Sequence, residues 1–266
     1  MRLNLIDTLM RICGAILRPL VYITLSLPAV IIIISSFTAG NNLRFPPEGF
    51  SLKWYSAAFA NEPFMTSLWI STRLALIATI CSLAIGVSAA FVLDRYNFKG
   101  KETFRTLTLS PLIIPMVVLG LGLLQFLSWL GLSQTFIGLL IGHVLITLPY
   151  VVRTLTAGFI LFDKTLEQAA MNLRASPWTV LRKITLPLLA PALISAAVFA
   201  FVTSFGNITL SIFLGFGGET TLPVQIFTYV EHSYDPILAA VSTIVILVTL
   251  VVIAIVEKFS GMEKIA

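Results

Sequence analysis

From Phe64 to Leu93 thirty consecutive residues carry a single charge, Arg73, and no proline. A helix needs about 20 apolar residues to cross a bilayer core, and it is one of the few structures that satisfies its own backbone there. Further runs of the same character lie at 19–37, 106–129, 134–158, 188–214 and 236–256. With 58% hydrophobic and 11% charged residues and a mean hydropathy of +0.98, one soluble core cannot hide this much apolar surface. The expected fold class is therefore all-α integral membrane, with six transmembrane helices.

The expected organisation is an N-terminal segment 1–18, a six-span domain 19–258 interrupted by a long polar loop 159–187, and a tail 259–266. The run at 19–37 exceeds a signal-peptide core and lacks a clear small-x-small site after it, so it is read as a retained span. Residues 41–63 form an outer loop whose Trp54–Tyr55 pair suits a membrane interface. Arg73 is placed near the outer end of the second span, where its long side chain can snorkel. Pro111 and Pro115 interrupt the third span. A Gly-rich loop joins the fifth span to the sixth. Cys13 and Cys81 sit in or beside apolar runs without His or Cys partners and read as small buried hydrophobes.

Orientation follows from the basic residues. Fourteen of the seventeen Lys and Arg fall in the terminal segments or in and beside the loops after the second and fourth spans; only Arg44, Lys53 and Arg73 lie on the other side. By the positive-inside rule both termini and the 159–187 loop of this multi-pass membrane protein face the cytoplasm. The net charge of +5 is accounted for by this topology, so the lipid bilayer is the expected partner and nucleic acid is not.

Catalytic motifs are missing. The sequence has no GxxxxGK[ST], HExxH or GxSxG, and no paired carboxylates in a span, so no metal site is expected and any ATP must be bound by another chain. An intramembrane hydrolase with His143 as base, or an autonomous channel, is the alternative in a different class. A lone His on an apolar helix is more often hydrogen-bonded structure than a catalyst.

The cytoplasmic loop holds the most informative stretch, Glu167 to Pro187, EQAAMNLRASPWTVLRKITLP. Pro177 and Pro187 forbid one continuous helix, so two short helices, at 166–173 and 177–183, joined by a turn are expected. This stretch resembles the EAA loop of the permease subunits of bacterial ATP-binding-cassette importers, which reads E-A-A, three residues, G, nine residues, I-x-L-P. Counting back from Ile184–Pro187 places EAA at Gln168, Ala169 and Ala170 and the glycine at Arg174. Two positions depart from the pattern: Glu167 offers an acid one residue early, and Arg174 must turn the chain without glycine's freedom at positive φ, at a cost of about 1 kcal/mol. Ser110–Pro115, His143–Pro149 and Thr221–Pro223 extend the resemblance along the chain, toward the C-type subunit of the spermidine/putrescine branch.

That resemblance implies a type I ABC importer permease fold with cytoplasmic coupling helices and no enzymatic activity of its own. It implies as partners two ATPase subunits that bind ATP and Mg, a second and different permease, and an extracytoplasmic binding protein. Coupling to the ATPase would fall to Glu167, Gln168, Ala169, Ala170, Arg174, Ser176, Pro177, Arg182 and Lys183. The polar run Thr203, Ser204, Asn207, Thr209 and Ser211 is expensive in lipid and so is expected to face a bundle interior or an aqueous path. Thr203, Ser204, Asn207 and Ser211, with His143, are the candidates for a solute path. Polyamine permeases of this type often carry paired acids where Gly206 and Asn207 stand here, so amino acids, opine-like compounds and aminophosphonates join polyamines as candidate solutes.

Overall fold

In a computed structural model, which describes residues 5–260, the chain is helical, and among the described residues the only β pairing is an isolated bridge between Phe216 and Glu219. The ends of the expected N-terminal segment and C-terminal tail, 1–4 and 261–266, lie outside the described residues. In chain order the helices are α1 (Leu5–Ser35), α2 (Lys53–Ala60), α3 (Glu62–Arg95), α4 (Lys101–Leu109), α5 (Met116–Trp129), α6 (Phe136–Ile160), α7 (Thr165–Asn172) and α8 (Pro177–Val180). A π-turn at Leu181–Thr185 leads into α9 (Leu186–Leu188), followed by α10 (Ala190–Phe205), α11 (Thr209–Leu214), α12 (Leu222–His232) and α13 (Ile237–Ser260).

Among the described residues, three stretches are long and apolar enough to cross a membrane alone: Cys13–Ser35, Glu62–Arg95 and Phe136–Ile160. Two further candidates are bent pairs, Lys101–Leu112 with Met116–Trp129 at 104°, and Pro177–Leu188 with Ala190–Phe205 at 68°. Ile237–Val251 is a shorter apolar helix.

Several boundaries differ from the sequence reading, each for a local reason. The first helix begins at Leu5 rather than Pro19 and carries Pro19 and Pro28 inside it. The third span is not straight: Pro111 sits in a 3₁₀ turn at Ser110–Leu112 and Pro115 caps α5, which together redirect the chain. The fifth run breaks at Gly206, where α10 ends and α11 starts three residues later. Two expected loops contain short helices, α2 and α12, which have too few residues to declare themselves by periodicity.

The chain forms two compact units, Met1–Glu62 with Tyr229–Leu250, and Pro63–Thr228 with Val251–Ala266. In the first, the segment between α1 and α2 is pinned by polar contacts. Lys53 Nζ donates to Ala39 O at 2.7 Å and Asn41 Oδ1 at 2.9 Å, Trp54 Nε1 donates to Gly40 O at 3.1 Å, and the hydroxyls of Ser36 and Tyr55 meet at 2.6 Å. Trp54 and Tyr55 thus serve as folded anchors as well as amphipathic side chains.

The second unit is built around α6. One apolar cluster joins Ala90 of α3, Val151, Leu155 and Phe159 of α6, and Ala196 and Ala200 of α10. Another joins Leu74 of α3, Leu127 of α5, Leu139 and Ile146 of α6, and Leu210 and Leu214 of α11. Small residues set the spacing: a Cβ at Gly158 would lie 2.6 Å from Ala192 Cβ, so α6 and α10 approach as closely as they do because position 158 has no side chain. Arg73, on α3, lies over the ring of Phe136 at 4.3 Å.

Candidate functional site

The stretch that resembles a coupling loop forms two short helices standing beyond the end of α6. Asp163 opens the first: its Oδ1 accepts from the Thr165 N–H at 2.9 Å, and the Thr165 backbone and hydroxyl hold its carboxyl below the usual carboxylate range. The helix ends in a Schellman motif. The Ala175 N–H donates to Ala170 O at 3.1 Å and the Arg174 N–H to Met171 O at 2.9 Å, which puts Arg174 at the position where a helix stop commonly takes glycine. Its φ is +63°, so the chain keeps the left-handed turn and carries the Cβ cost there. Arg174→Gly should stabilise this turn by about 1 kcal/mol. The check is slower amide exchange at Ala175, whose N–H closes the motif; faster exchange in the variant would contradict this account of the turn.

The second helix starts on Ser176, whose Oγ accepts from the Thr179 N–H at 3.2 Å, with Pro177 in the first turn where its missing N–H costs nothing. The π-turn that follows swings Thr185 back toward α7.

These elements divide the predicted coupling residues into two sets. Gln168, Ala169, Arg174, Ser176, Pro177, Arg182 and Lys183 are exposed and Ala170 is half-buried. Beside them the sequence reading missed large apolar side chains left open to solvent: Met171 at 46%, Leu173 at 85% and Trp178 at 67% exposure. Exposed large apolar side chains together with three exposed cations, Arg174, Arg182 and Lys183, within one short loop have the composition of a docking face. The signal for it was present, since Leu173 and Trp178 flank the turn, but burial cannot be read from two short helices.

Glu167 is the exception. It is buried, with Oε2 at 2.7 Å from Arg95 Nη2 and Oε1 accepting from the Thr185 hydroxyl at 2.5 Å. The structure places it toward the bundle, away from the face that Gln168 and Ala169 present.

The candidate solute-path residues lie at the break between α10 and α11. His143 is fully buried on α6, with Nδ1 at 2.8 Å from Ser204 Oγ and Nε2 at 3.2 Å from Ser211 Oγ. Both ring nitrogens are thus occupied by side chains of the two helices flanking Gly206. Asn207 caps α11, its Oδ1 accepting from the Leu210 N–H at 2.8 Å, while its carbonyl accepts from the Ser211 hydroxyl at 2.8 Å. Thr147, one turn beyond His143, is bonded to Ser82 of α3 at 2.6 Å. The break in the fifth run is therefore held by side chains, with Thr203 and Asn207 half-buried beside it. Among the described residues no cluster of His, Cys, Asp or Glu could hold a metal.

Residues 82–260 match the model of a family described as the binding-protein-dependent transport system inner membrane component. The spermidine/putrescine transport system permease protein PotC of Haemophilus influenzae is 32% identical over 235 residues, covering 88% of this chain and 91% of that protein. The putrescine transport system permease protein PotI of Escherichia coli is 29% identical over 227 residues, covering 82% and 80%. The fold matches a chain in the crystal structure of a bacterial ABC transporter involved in the import of the acidic polysaccharide alginate, with a TM-score of 0.74 over 97% of this chain and 99% of that one; at 18% identity this concerns the fold alone. Helical architecture, family model and full-length relatives agree, and the chain belongs to the binding-protein-dependent transport system inner membrane component family, as a permease subunit of an ABC importer.

Proposed function

We propose that the chain is one of two different membrane subunits of the importer, and that the exposed face of α7 and α8 is where an ATPase subunit drives it. The observation that carries this reading is the exposure, within this one loop, of the large apolar side chains Met171, Leu173 and Trp178 together with Arg174, Arg182 and Lys183. Such a combination invites a partner with an apolar cleft and an acidic rim. Small Ala169 lets the helix backbone approach that cleft closely.

In this reading all six apolar runs cross the inner membrane with both termini in the cytoplasm, which the distribution of Lys and Arg supports. ATP and Mg belong to the two ATPase subunits, and the lack of a phosphate loop in this chain fits that division. Closure of the ATPases on ATP moves α7 and α8, and the attached spans rock between inward-open and outward-open arrangements. The bias comes from different contacts with the open and closed ATPase pair, without chemistry in this chain.

The solute is small and polar, delivered by an extracytoplasmic binding protein. Polyamines head the candidates because the named relatives transport them. Residues 188–214 contain no Asp or Glu, so this run supplies no carboxylate for a dication. Amino acids, opine-like compounds and aminophosphonates belong in the same panel, and selectivity rests largely with the binding protein.

Purification of the tagged chain from membranes co-expressing its partners tests the proposal. An ATPase subunit and a second permease are expected to co-purify, with ATP hydrolysis stimulated by loaded binding protein. Solute movement or turnover by the chain alone would instead favour an autonomous channel or intramembrane enzyme.

A further inference from the structure

We propose that Glu167 is a positioning residue that transmits movement of the α7–α8 unit to the spans, through an ion pair with Arg95 and a hydrogen bond from Thr185. The inference rests on the docking reading above and adds to it the link by which docking becomes motion. Within α7, Glu167 is the one buried residue: the helix has no buried apolar anchor. Leu166, beside it, is 46% exposed and lines an open groove with Phe162, Leu188, Leu189 and Ala192, so it does not anchor α7 by packing. The carboxylate fills the mechanical role that packing does not.

Its two oxygens reach different elements. Oε2 meets Arg95 at the last residue of α3, and Oε1 meets Thr185 at the end of the π-turn that leads into α9 and α10. Arg95 is held in turn. Its guanidinium lies 6.0, 5.7 and 5.5 Å from the rings of Phe91, Phe159 and Phe162, on α3, the end of α6 and the connection to α7. Asp94 Oδ2 lies 3.4 Å from Arg95 Nε and 2.9 Å from Lys164 Nζ, which adds a second tie between α3 and the start of α7. The side chains of Arg95 and Glu167 are only 15% and 10% exposed, so solvent screens this pair little. Breaking one member leaves the other charge buried and unpaired, which makes the link stiff against separation. A π-turn where a span begins also allows register to shift locally, and such turns recur at functional sites.

The test uses the assembled importer in proteoliposomes with loaded binding protein, scoring Glu167→Gln, Arg95→Gln, Arg95→Lys and Thr185→Val at equal amounts of complex. The two Gln variants are expected to retain the ATPase at wild-type stoichiometry and keep basal ATP hydrolysis within about twofold. Their uptake and their stimulation by binding protein should fall at least about tenfold. Arg95→Lys, which keeps the charge, should recover most of the coupling; a residue that merely helps folding would not give this split between docking and stimulation. If the Gln variants do not accumulate, Thr185→Val decides: it leaves the ion pair and should lower uptake about threefold with normal docking, and unchanged uptake would overturn the proposal. Gln variants with intact complex and full stimulation would overturn it too. So would Gln variants that lose the ATPase, because Glu167 would then serve presentation of the docking face alone. A wild-type chain that holds no ATPase would instead sink the docking reading itself.

Discussion

Ala169→Trp, combined with Arg182→Glu and Lys183→Glu, is expected to release the ATPase and lower solute uptake at least about a hundredfold, with the chain itself still folded in the membrane. Ala169 and the two cations are exposed, so the substitutions disturb little inside the chain. In the proposed docking, a large ring at position 169 holds the α7 backbone away from the ATPase, and overpacking of this kind costs about 1–3 kcal/mol. Reversing two cations turns attraction to an acidic rim into repulsion, with an effect that weakens as salt is raised. Together these reach the ~2.7 kcal/mol that a hundredfold change in binding requires. Pull-down of the ATPase across a salt series measures both parts. Retention of the ATPase by the triple variant would place docking elsewhere on the chain.

The second large effect concerns the break between α10 and α11. His143→Leu removes both hydrogen bonds that tie Ser204 and Ser211 to α6 and leaves the buried Ser204 hydroxyl to find a new partner, while the Ser211 hydroxyl keeps its bond to the Asn207 carbonyl. Hydrogen bonds between membrane helices contribute about 0.6–1.7 kcal/mol each, so a loss of about 2 kcal/mol is expected, read as a lower unfolding midpoint in detergent. Adding Ser204→Ala should recover part of it, because removing both sides of a buried hydrogen bond is far less costly than removing one. Unchanged stability with abolished uptake in His143→Leu would return His143 to the solute path.

Much of this was legible in the sequence because it depends on local rules. Long apolar runs require a membrane, and the runs at 64–93 and 134–158 fall on the long apolar helices Glu62–Arg95 and Phe136–Ile160. Counting along the coupling motif located Arg174, and the backbone there has the positive φ that the motif's glycine implies. Other features depend on contacts that no local pattern encodes. Proline at 111 and 115 announced an interruption but not a bend of 104°. The polar run at 203–211 reads as a candidate path lining, but no local pattern shows that His143, from a helix far away in sequence, bonds to Ser204 and Ser211. Glu167 looked like one more residue of an exposed motif. Only the fold brings Arg95 and Thr185 to it, and turns a surface acid into a buried tie.

The central claim is that the face carrying Gln168 and Trp178 meets the ATPase from the cytoplasm. A photo-crosslinking amino acid placed singly at Gln168 or Trp178, or at Trp54 or the exposed Tyr234 in the loops expected on the outer side, tests it directly in the complete importer. The first two positions should capture the ATPase subunit, with yields that change when ATP is bound, and the last two should capture none. ATPase capture from Trp54 or Tyr234, or none from Gln168 and Trp178 in an importer active in uptake, would contradict the account.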